Sequence, residues 1–359
     1  MIIESLGFRN FRALSEAKID TSKKYIVFSA ENGEGKTSIL ESIYFCLTGT
    51  SFRTKNLKTT INLLKEENTV KLEISDDDKK FVIQNDYNGK EKKLFVNDKR
   101  INDRKSIILN FPCIVFINED IEFISGSSQE RRKFFDQVIS YSDEEYLIIL
   151  KKYKYLIEER NKLLKAENQN YSMYDEYIAT LDSKIQEKRE FCVSKINEII
   201  NLFFPLFFEK FNKVTIEYKK SIDSNNVEII KEILRSNLDK DIKDGCTCKG
   251  IHRDNFVVKY ENKVFEEYAS KGQLRILAIL YRVAEIIYIN EETEKKPFVL
   301  IDDIFLELDK HRRRLFFEKI EIFSQLFLTF LPDENYFLDK KDDTLYYTIK
   351  DGLVKRQDG

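Results

Sequence analysis

The chain has 359 residues, 42% of them hydrophobic, enough for two domains, or one with a large insertion, around a real core. Sixty Lys and Arg stand against 62 Asp and Glu. A charge so close to balance excludes an all-over polyanion-binding surface, so nucleic acid would have to be held by local patches. The five scattered cysteines form no disulfide framework, and Cys246 and Cys248 with only His252 and His311 make a poor metal set. There is neither a signal-like leader nor an apolar run of membrane length, so the sequence reads as a cytoplasmic protein with no membrane partner.

Met1 to Phe8 and Ala17 to Asp20 read as a strand hairpin around Arg9-Asn10-Phe11-Arg12. Its two arginines either reach a nucleotide or sit on a solvated turn. The stretch Tyr25 to Leu47 organises the rest. Tyr25-Ile26-Val27-Phe28 is a buried strand by composition, and Ile39, Leu40, Ile43, Tyr44 and Leu47 mark an amphipathic helix. Between them Ala30, Glu31, Asn32, Gly33, Glu34, Gly35, Lys36, Thr37 and Ser38 form a phosphate-binding loop. Glycines let backbone N–H groups curl round phosphates, and the helix N-terminus adds positive partial charge. Lys36 is expected to reach the β- and γ-phosphates of ATP, and Thr37 to ligate Mg²⁺. Ala30 replaces the glycine that opens the full pattern and cannot easily take a strongly positive φ.

Period-two alternation through Val70, Leu72 and Ile74, then Phe81-Val82-Ile83 and Leu94-Phe95-Val96, predicts an antiparallel meander, and Cys113 to Ile117 another strand. Helical patterning begins near Ser128 and runs to about Asn201. Leu150, Tyr153, Ile157 and Leu164, then Ile178, Leu181, Ile185, Cys192, Ile196 and Ile199, recur at three- and four-residue steps on either side of a polar connector, Ala166 to Ser172. Two antiparallel helices forming a short coiled-coil arm fit best, with two ordinary core helices as the alternative. A strand over Val214 to Tyr218 and a helix near Val227 to Leu238 follow.

A phosphate loop needs a carboxylate for Mg²⁺ at the end of a second buried strand. Pro297-Phe298-Val299-Leu300-Ile301-Asp302-Asp303 supplies it: Asp302 for the metal, Asp303 as the base that polarises the attacking water. The catalytic candidates are thus Lys36 and Asp303. Ser270-Lys271-Gly272-Gln273 opens a helix shortly before that strand and resembles the signature motif of ABC-type ATPases. The resemblance implies that Ser270, Gly272 and Gln273 bind the nucleotide held by a second subunit. Leu306-Glu307-Leu308-Asp309 is similar to the D-loop of that superfamily.

Phe8 to Arg12, Leu47 to Arg53, Asn118-Glu119-Asp120, Glu130 to Asp136 and Gly250 to Asp254 all resemble the RecF recombination-mediator family, over nearly the whole chain. That resemblance implies an α/β fold, an ABC-type head with a mixed sheet, plus an inserted helical lobe with a short coiled-coil arm. The boundaries expected are 1–127 and 213–359 for the head and 128–212 for the insertion. It also implies an ATP-dependent homodimer on single- and double-stranded DNA at gaps and junctions, slow ATP hydrolysis, and work with RecR, RecO and indirectly RecA. Departures are Ala30 in place of glycine, Asn118 and Ile251 each in place of the usual proline, and no histidine after Gln325 to Phe330. Arg131-Arg132-Lys133, Lys151-Lys152-Lys154 and Arg312-Arg313-Arg314 either contact DNA phosphates or are solvated helix faces. A nucleotide switch with negligible turnover, an SMC-like chromosome-organising head and a transporter ATPase are the competing readings.

Overall fold

The computed structural model describes residues 1–166, 171–208, 211–304, 309–319, 321–332 and 342–357. In chain order the first strands are β1 (Ile2–Arg9), β2 (Ala17–Asp20), β3 (Tyr25–Ser29), β4 (Asn68–Asp76), β5 (Lys79–Tyr87), β6 (Lys92–Val96), β7 (Lys99–Ile101) and β8 (Cys113–Phe116). Then come β9 (Thr215–Lys219), β10 (Asn255–Tyr260), β11 (Lys263–Val264), β12 (Phe298–Ile301), β13 (Gln325–Phe330), β14 (Thr344–Lys350) and β15 (Leu353–Arg356). The helices are α1 (Lys36–Thr48), α2 (Lys105–Asn110), α3 (Glu122–Ser125), α4 (Ser128–Ser142) and α5 (Glu144–Lys165). They continue with α6 (Ser172–Phe207), α7 (Val227–Ser236), α8 (Leu238–Asp244), α9 (Lys271–Thr293) and α10 (Lys310–Lys319).

Two compact units result, Met1–Glu119 with Ile289–Gly359, and Asp120–Tyr288. This division differs from the expected boundaries at 128 and 212. The second unit takes in β9, β10, β11 and most of α9, because α4 packs on β10 and α6 on β9, so those strands belong with the helices.

The first unit holds two six-stranded sheets. One, ordered β2-β1-β4-β5-β6-β7, is antiparallel throughout, the meander that alternation predicts, extended by the N-terminal hairpin. Val70, Leu72 and Ile74 of β4 point inward and are essentially inaccessible. The other, β15-β14-β3-β13-β12-β8, is mixed: parallel from β14 to β8, with β15 antiparallel at one edge. Strands β3, β12 and β8 are buried along their whole length, which is why they read as unbroken apolar runs. Ile39, Leu40, Ile43 and Leu47 of α1 join Phe11, Phe28 and Phe45 in the core of this unit, each contributing about 1.5–3 kcal/mol by burial. Buried Gln325 ties the sheets together: its Oε1 accepts from Ile3 N at 2.9 Å, and its Nε2 donates to the carbonyls of Ile3, Lys23 and Thr21.

The second unit is built on α5 and α6. They run antiparallel, as the pairs Glu145–Lys184, Tyr153–Asp182 and Arg160–Asp175 require. All ten positions read as the seam are buried. The pair does not stand alone: α6 also packs on α4, α7 and β9, and α5 on α4 and α8. Helix α6 runs on past Asn201 to Phe207, with Pro205 in its last turn. The helix expected near Val227 to Leu238 is two, α7 and α8, divided at Asn237. Part of the polar connector, residues 167–170, lies outside the described residues.

Candidate nucleotide site

Lys36, Thr37, Asp302 and Asp303 converge in the first unit, and the register of the mixed sheet explains why. Strands β3, β13 and β12 are parallel neighbours, so the loop after β3 and the carboxylates after β12 emerge at the same sheet edge. Gly33 and Gly35 have φ of 89° and 106°, values a side chain rarely tolerates, and Gly35 is the N-cap of α1. Ala30 has no positive φ. The departure from glycine is therefore met without strain, and Ala30 instead donates from its N–H to Phe330 O at 3.2 Å.

Lys36 is buried. Its Nζ donates to Ala30 O at 2.7 Å and lies 3.4 Å from Asn32 Oδ1 and 3.6 Å from Asp303 Oδ2. Thr37 Oγ1 is 2.8 and 3.0 Å from the two oxygens of Asp302. Burial pushes Asp302 above the ordinary carboxylate range, helped by the charge of Asp303 and opposed by the Thr37 hydrogen bond. Asp303 has φ 47°, a left-handed conformation that costs a non-glycine residue on the order of 1 kcal/mol. A hydroxyl beside a buried carboxylate, with a second carboxylate adjacent, is an all-oxygen donor set of the kind Mg²⁺ takes. The residues fit that ion, and the two positive-φ glycines fit a phosphate cradle.

Three further features escaped sequence reading. Thr329, near the end of β13, places its hydroxyl 3.0 Å from Asp302 Oδ1 and 3.2 Å from Asp303 Oδ1. Glu41 of α1 is fully buried and takes a two-pronged bond from Arg12, at 2.7 and 2.9 Å, with Ser51 and Arg53 also on it. Arg12 thus has a protein partner, and Arg9 pairs with Glu67 at 3.3 Å. Third, a cleft of about 1680 Å³ opens beside the loop, lined by Gly33, Gly35, Ser38, Arg12, Arg53 and Lys58 among others. Its basic lining suits a polyphosphate.

The signature-like residues stand on the second unit. Ser270 and Gln273 form a reciprocal cap: Ser270 N donates to Gln273 Oε1 at 2.8 Å, and Gln273 N to Ser270 Oγ at 3.3 Å. Ser270 and Gly272 are exposed, and a Cβ on Gly272 would meet nothing nearer than Ser270 Oγ at 4.0 Å, so this helix end is open to a ligand. Residues 306–308 of the D-loop-like segment lie outside the described residues.

The motifs at 130–136 and 250–254 meet in a buried network. Arg189 reaches Asp136 at 2.8 Å, Asp254 at 3.1 Å and Ile251 O at 2.9 Å. Arg131 bonds Asn255 and Ile124 O, and Arg132 bonds Asp254 O. Burial lowers the Arg132 pKa, with Arg189 adding to it. Arg131 and Arg132 are therefore internal ties, not a solvated patch, whereas Lys151, Lys152 and Lys154 are exposed on α5. Ile251, in place of proline, donates its N–H to buried Asp182 at 2.9 Å, a bond proline cannot make. Gly250 has φ 123°, and a Cβ there would stand 2.5 Å from Tyr153 Oη. Only glycine fits.

Residues 2–350 match the family model described as RecF/RecN/SMC N terminal domain. A DNA replication and repair protein RecF of Treponema pallidum (strain Nichols) is 33% identical over 356 residues, 96% of this chain and 98% of that one. The chain belongs to the RecF family. A solved structure of the recombination mediator protein RecF with ATP, in the RecFOR pathway, superposes on this RecF-family chain with a TM-score of 0.90 at 27% identity, covering 99% of each. An Smc head bound to the C-winged helix domain of ScpA matches at 0.55 and 17% identity, over 99% of this chain and 97% of that one; this shows a shared fold. The ABC-type head with its mixed sheet, expected from the sequence, is thus the fold of this RecF-family chain.

Proposed function

We propose that this chain is an ATP-switched DNA-binding protein of recombinational repair and replication, and a slow ATPase. The observation that carries the reading is the convergence of Lys36 Nζ, Thr37 Oγ1, Asp302 and Asp303 at one sheet edge beside a basic cleft. The presence of ATP in the related RecF structure supports it. Backbone N–H groups of Gly33 to Ser38 hold the phosphates, and Lys36 leaves Asp303 and Ala30 O to meet the β- and γ-oxygens. Thr37 and Asp302 would hold Mg²⁺, which neutralises charge on the phosphates when bound. Asp303, released from Lys36, orients the attacking water and draws its proton.

In this reading Ser270, Gly272 and Gln273 of a second copy close over the γ-phosphate, so ATP joins a homodimer and hydrolysis releases it. Single- and double-stranded DNA at gaps and junctions would be held through phosphates, with Lys151, Lys152 and Lys154 as candidate contacts. RecR, and with it RecO and RecA, are the partners this reading implies, in the cytoplasm. Leu331 and Pro332 follow β13 where many ABC ATPases carry a histidine; that favours slow turnover, and in the limit a switch that binds ATP without hydrolysing it.

The test is ATP hydrolysis against protein concentration with no DNA, plain duplex and gapped duplex. A rate that climbs more steeply than linearly with protein, and rises on DNA, is expected from a site shared by two copies. Turnover linear in protein and indifferent to DNA would overturn the clamp. ATP binding without turnover would leave the switch.

A further inference from the structure

Strand β13 runs parallel to β12 with Leu328 opposite Ile301, which brings the next residue, Thr329, beside Asp302 and Asp303. Thr329 is 2% exposed. A hydroxyl has one proton to give and two lone pairs to receive. Thr329 Oγ1 accepts the Asp303 N–H at 3.0 Å. Three oxygens lie within reach of its own proton: Asp302 Oδ1 at 3.0 Å, Asp303 Oδ1 at 3.2 Å and Ile301 O at 3.3 Å. It therefore grips Asp303 through the backbone, at the residue whose φ of 47° is left-handed, and can turn its proton to either carboxylate by rotating about one bond.

We propose that Thr329 is the positioning residue of the carboxylate pair. It holds Asp303 in its left-handed conformation, so that the side chain faces Lys36 rather than the strand. It also gives its hydrogen bond to whichever of Asp302 and Asp303 lacks another partner. Asp302 already receives the Thr37 hydroxyl and Asp303 lies against Lys36, so among the described residues Thr329 is the one whose side chain bonds to both. This inference rests on the ATPase reading above for its kinetic consequence, though not for its geometry.

The experiment compares Thr329→Val, which keeps the shape and removes the hydroxyl, with Thr329→Ser, which keeps the hydroxyl. Three quantities are read: turnover, ATP affinity as Mg²⁺ is titrated, and hydrogen exchange of the Asp303 amide in nucleotide-free protein. Thr329→Val is expected to lower kcat roughly tenfold to a hundredfold and to speed Asp303 amide exchange about tenfold, while saturating ATP affinity changes less than about twofold. The Mg²⁺ needed to reach that affinity rises. Thr329→Ser restores kcat, Mg²⁺ requirement and amide protection together, which a merely structural filling of space would not do. Wild-type turnover and unchanged Asp303 protection in Thr329→Val would overturn the proposal. If wild type binds ATP yet never hydrolyses it, the ATPase reading falls, and the Mg²⁺ titration with amide exchange still decides Thr329. If wild type binds no ATP at all, the exchange result alone decides it.

Discussion

Replacing Arg189 by methionine removes the centre of the buried network in the second unit. Arg189 is 1% exposed and holds two carboxylates, Asp136 and Asp254, together with the carbonyl of Ile251. Breaking a buried ion pair from one side costs about 3–5 kcal/mol. Here each carboxylate keeps other donors, Tyr146 at 2.6 Å on Asp136, and Ser221 N at 2.7 Å with Tyr218 on Asp254. The lower end, about 3 kcal/mol, is therefore expected, or two orders of magnitude in the opening equilibrium. The sign of the pH dependence follows from Asp254, which burial raises above its ordinary value while Arg189 opposes that rise. Without Arg189 the folded state binds its proton more readily than the unfolded state does, so acid relieves the variant. The assay is native-state hydrogen exchange of α6 amides, corrected for intrinsic rates, because a chain of two units need not unfold in one step. Protection should fall about a hundredfold at pH 7 and visibly less at pH 5. A loss under tenfold at pH 7, or one of the same size at pH 5, would refute this account of the network.

Lys36→Ala should abolish ATP binding by equilibrium titration, since its ammonium is the one cation seated in the loop; retained affinity would count against the site. Asp303→Asn keeps the shape but cannot take a proton, so ATP should bind, dimer should accumulate in sedimentation, and its lifetime should lengthen; an unchanged lifetime would remove Asp303 as the base. Burial lowers His252 to about 4. The unfolded state thus binds a proton there first, and wild type should lose stability relative to His252→Gln as pH falls from about 6.5 to about 4, measured by hydrogen exchange in α5. Asp182, raised to about 6 by burial and present in both proteins, works in the opposite direction and cancels in the comparison.

What could be read from the chain was whatever is local. The loop from Ala30 to Ser38, the apolar run before Asp302 and the Ser270 to Gln273 cap each declare themselves within ten residues, because backbone conformation and helix capping are set by near neighbours. Thr329 was out of reach for the opposite reason. Its role depends on which strand lies beside β12 and in what register, and an isolated threonine in an apolar strand carries no such mark. The same holds for Arg131, Arg132, Arg160 and Arg189. Charged residues on long helices ordinarily face water, and only the packing of α4, α6 and β10, and for Arg160 of α5 against α6 and α8, turns some of them inward. The helical seam was legible down to single positions, yet its surroundings were not, since a three- and four-residue rhythm looks alike in a free coil and in a core.

The strand that carries the phosphate loop has a consequence for how the protein is made. Both sheet neighbours of β3 are β13 and β14, so on the ribosome Tyr25–Ser29 waits for residues 325–330 and 344–350 before its hydrogen bonds can close. The second unit, contiguous from Asp120 to Tyr288, is complete well before then. Synthesis thus finishes the middle of the chain first and the nucleotide loop last, after contacts of very long sequence separation form. A nascent chain stalled short of β13 carries Lys36 and Thr37 already translated, on a strand with neither of its neighbours yet in place.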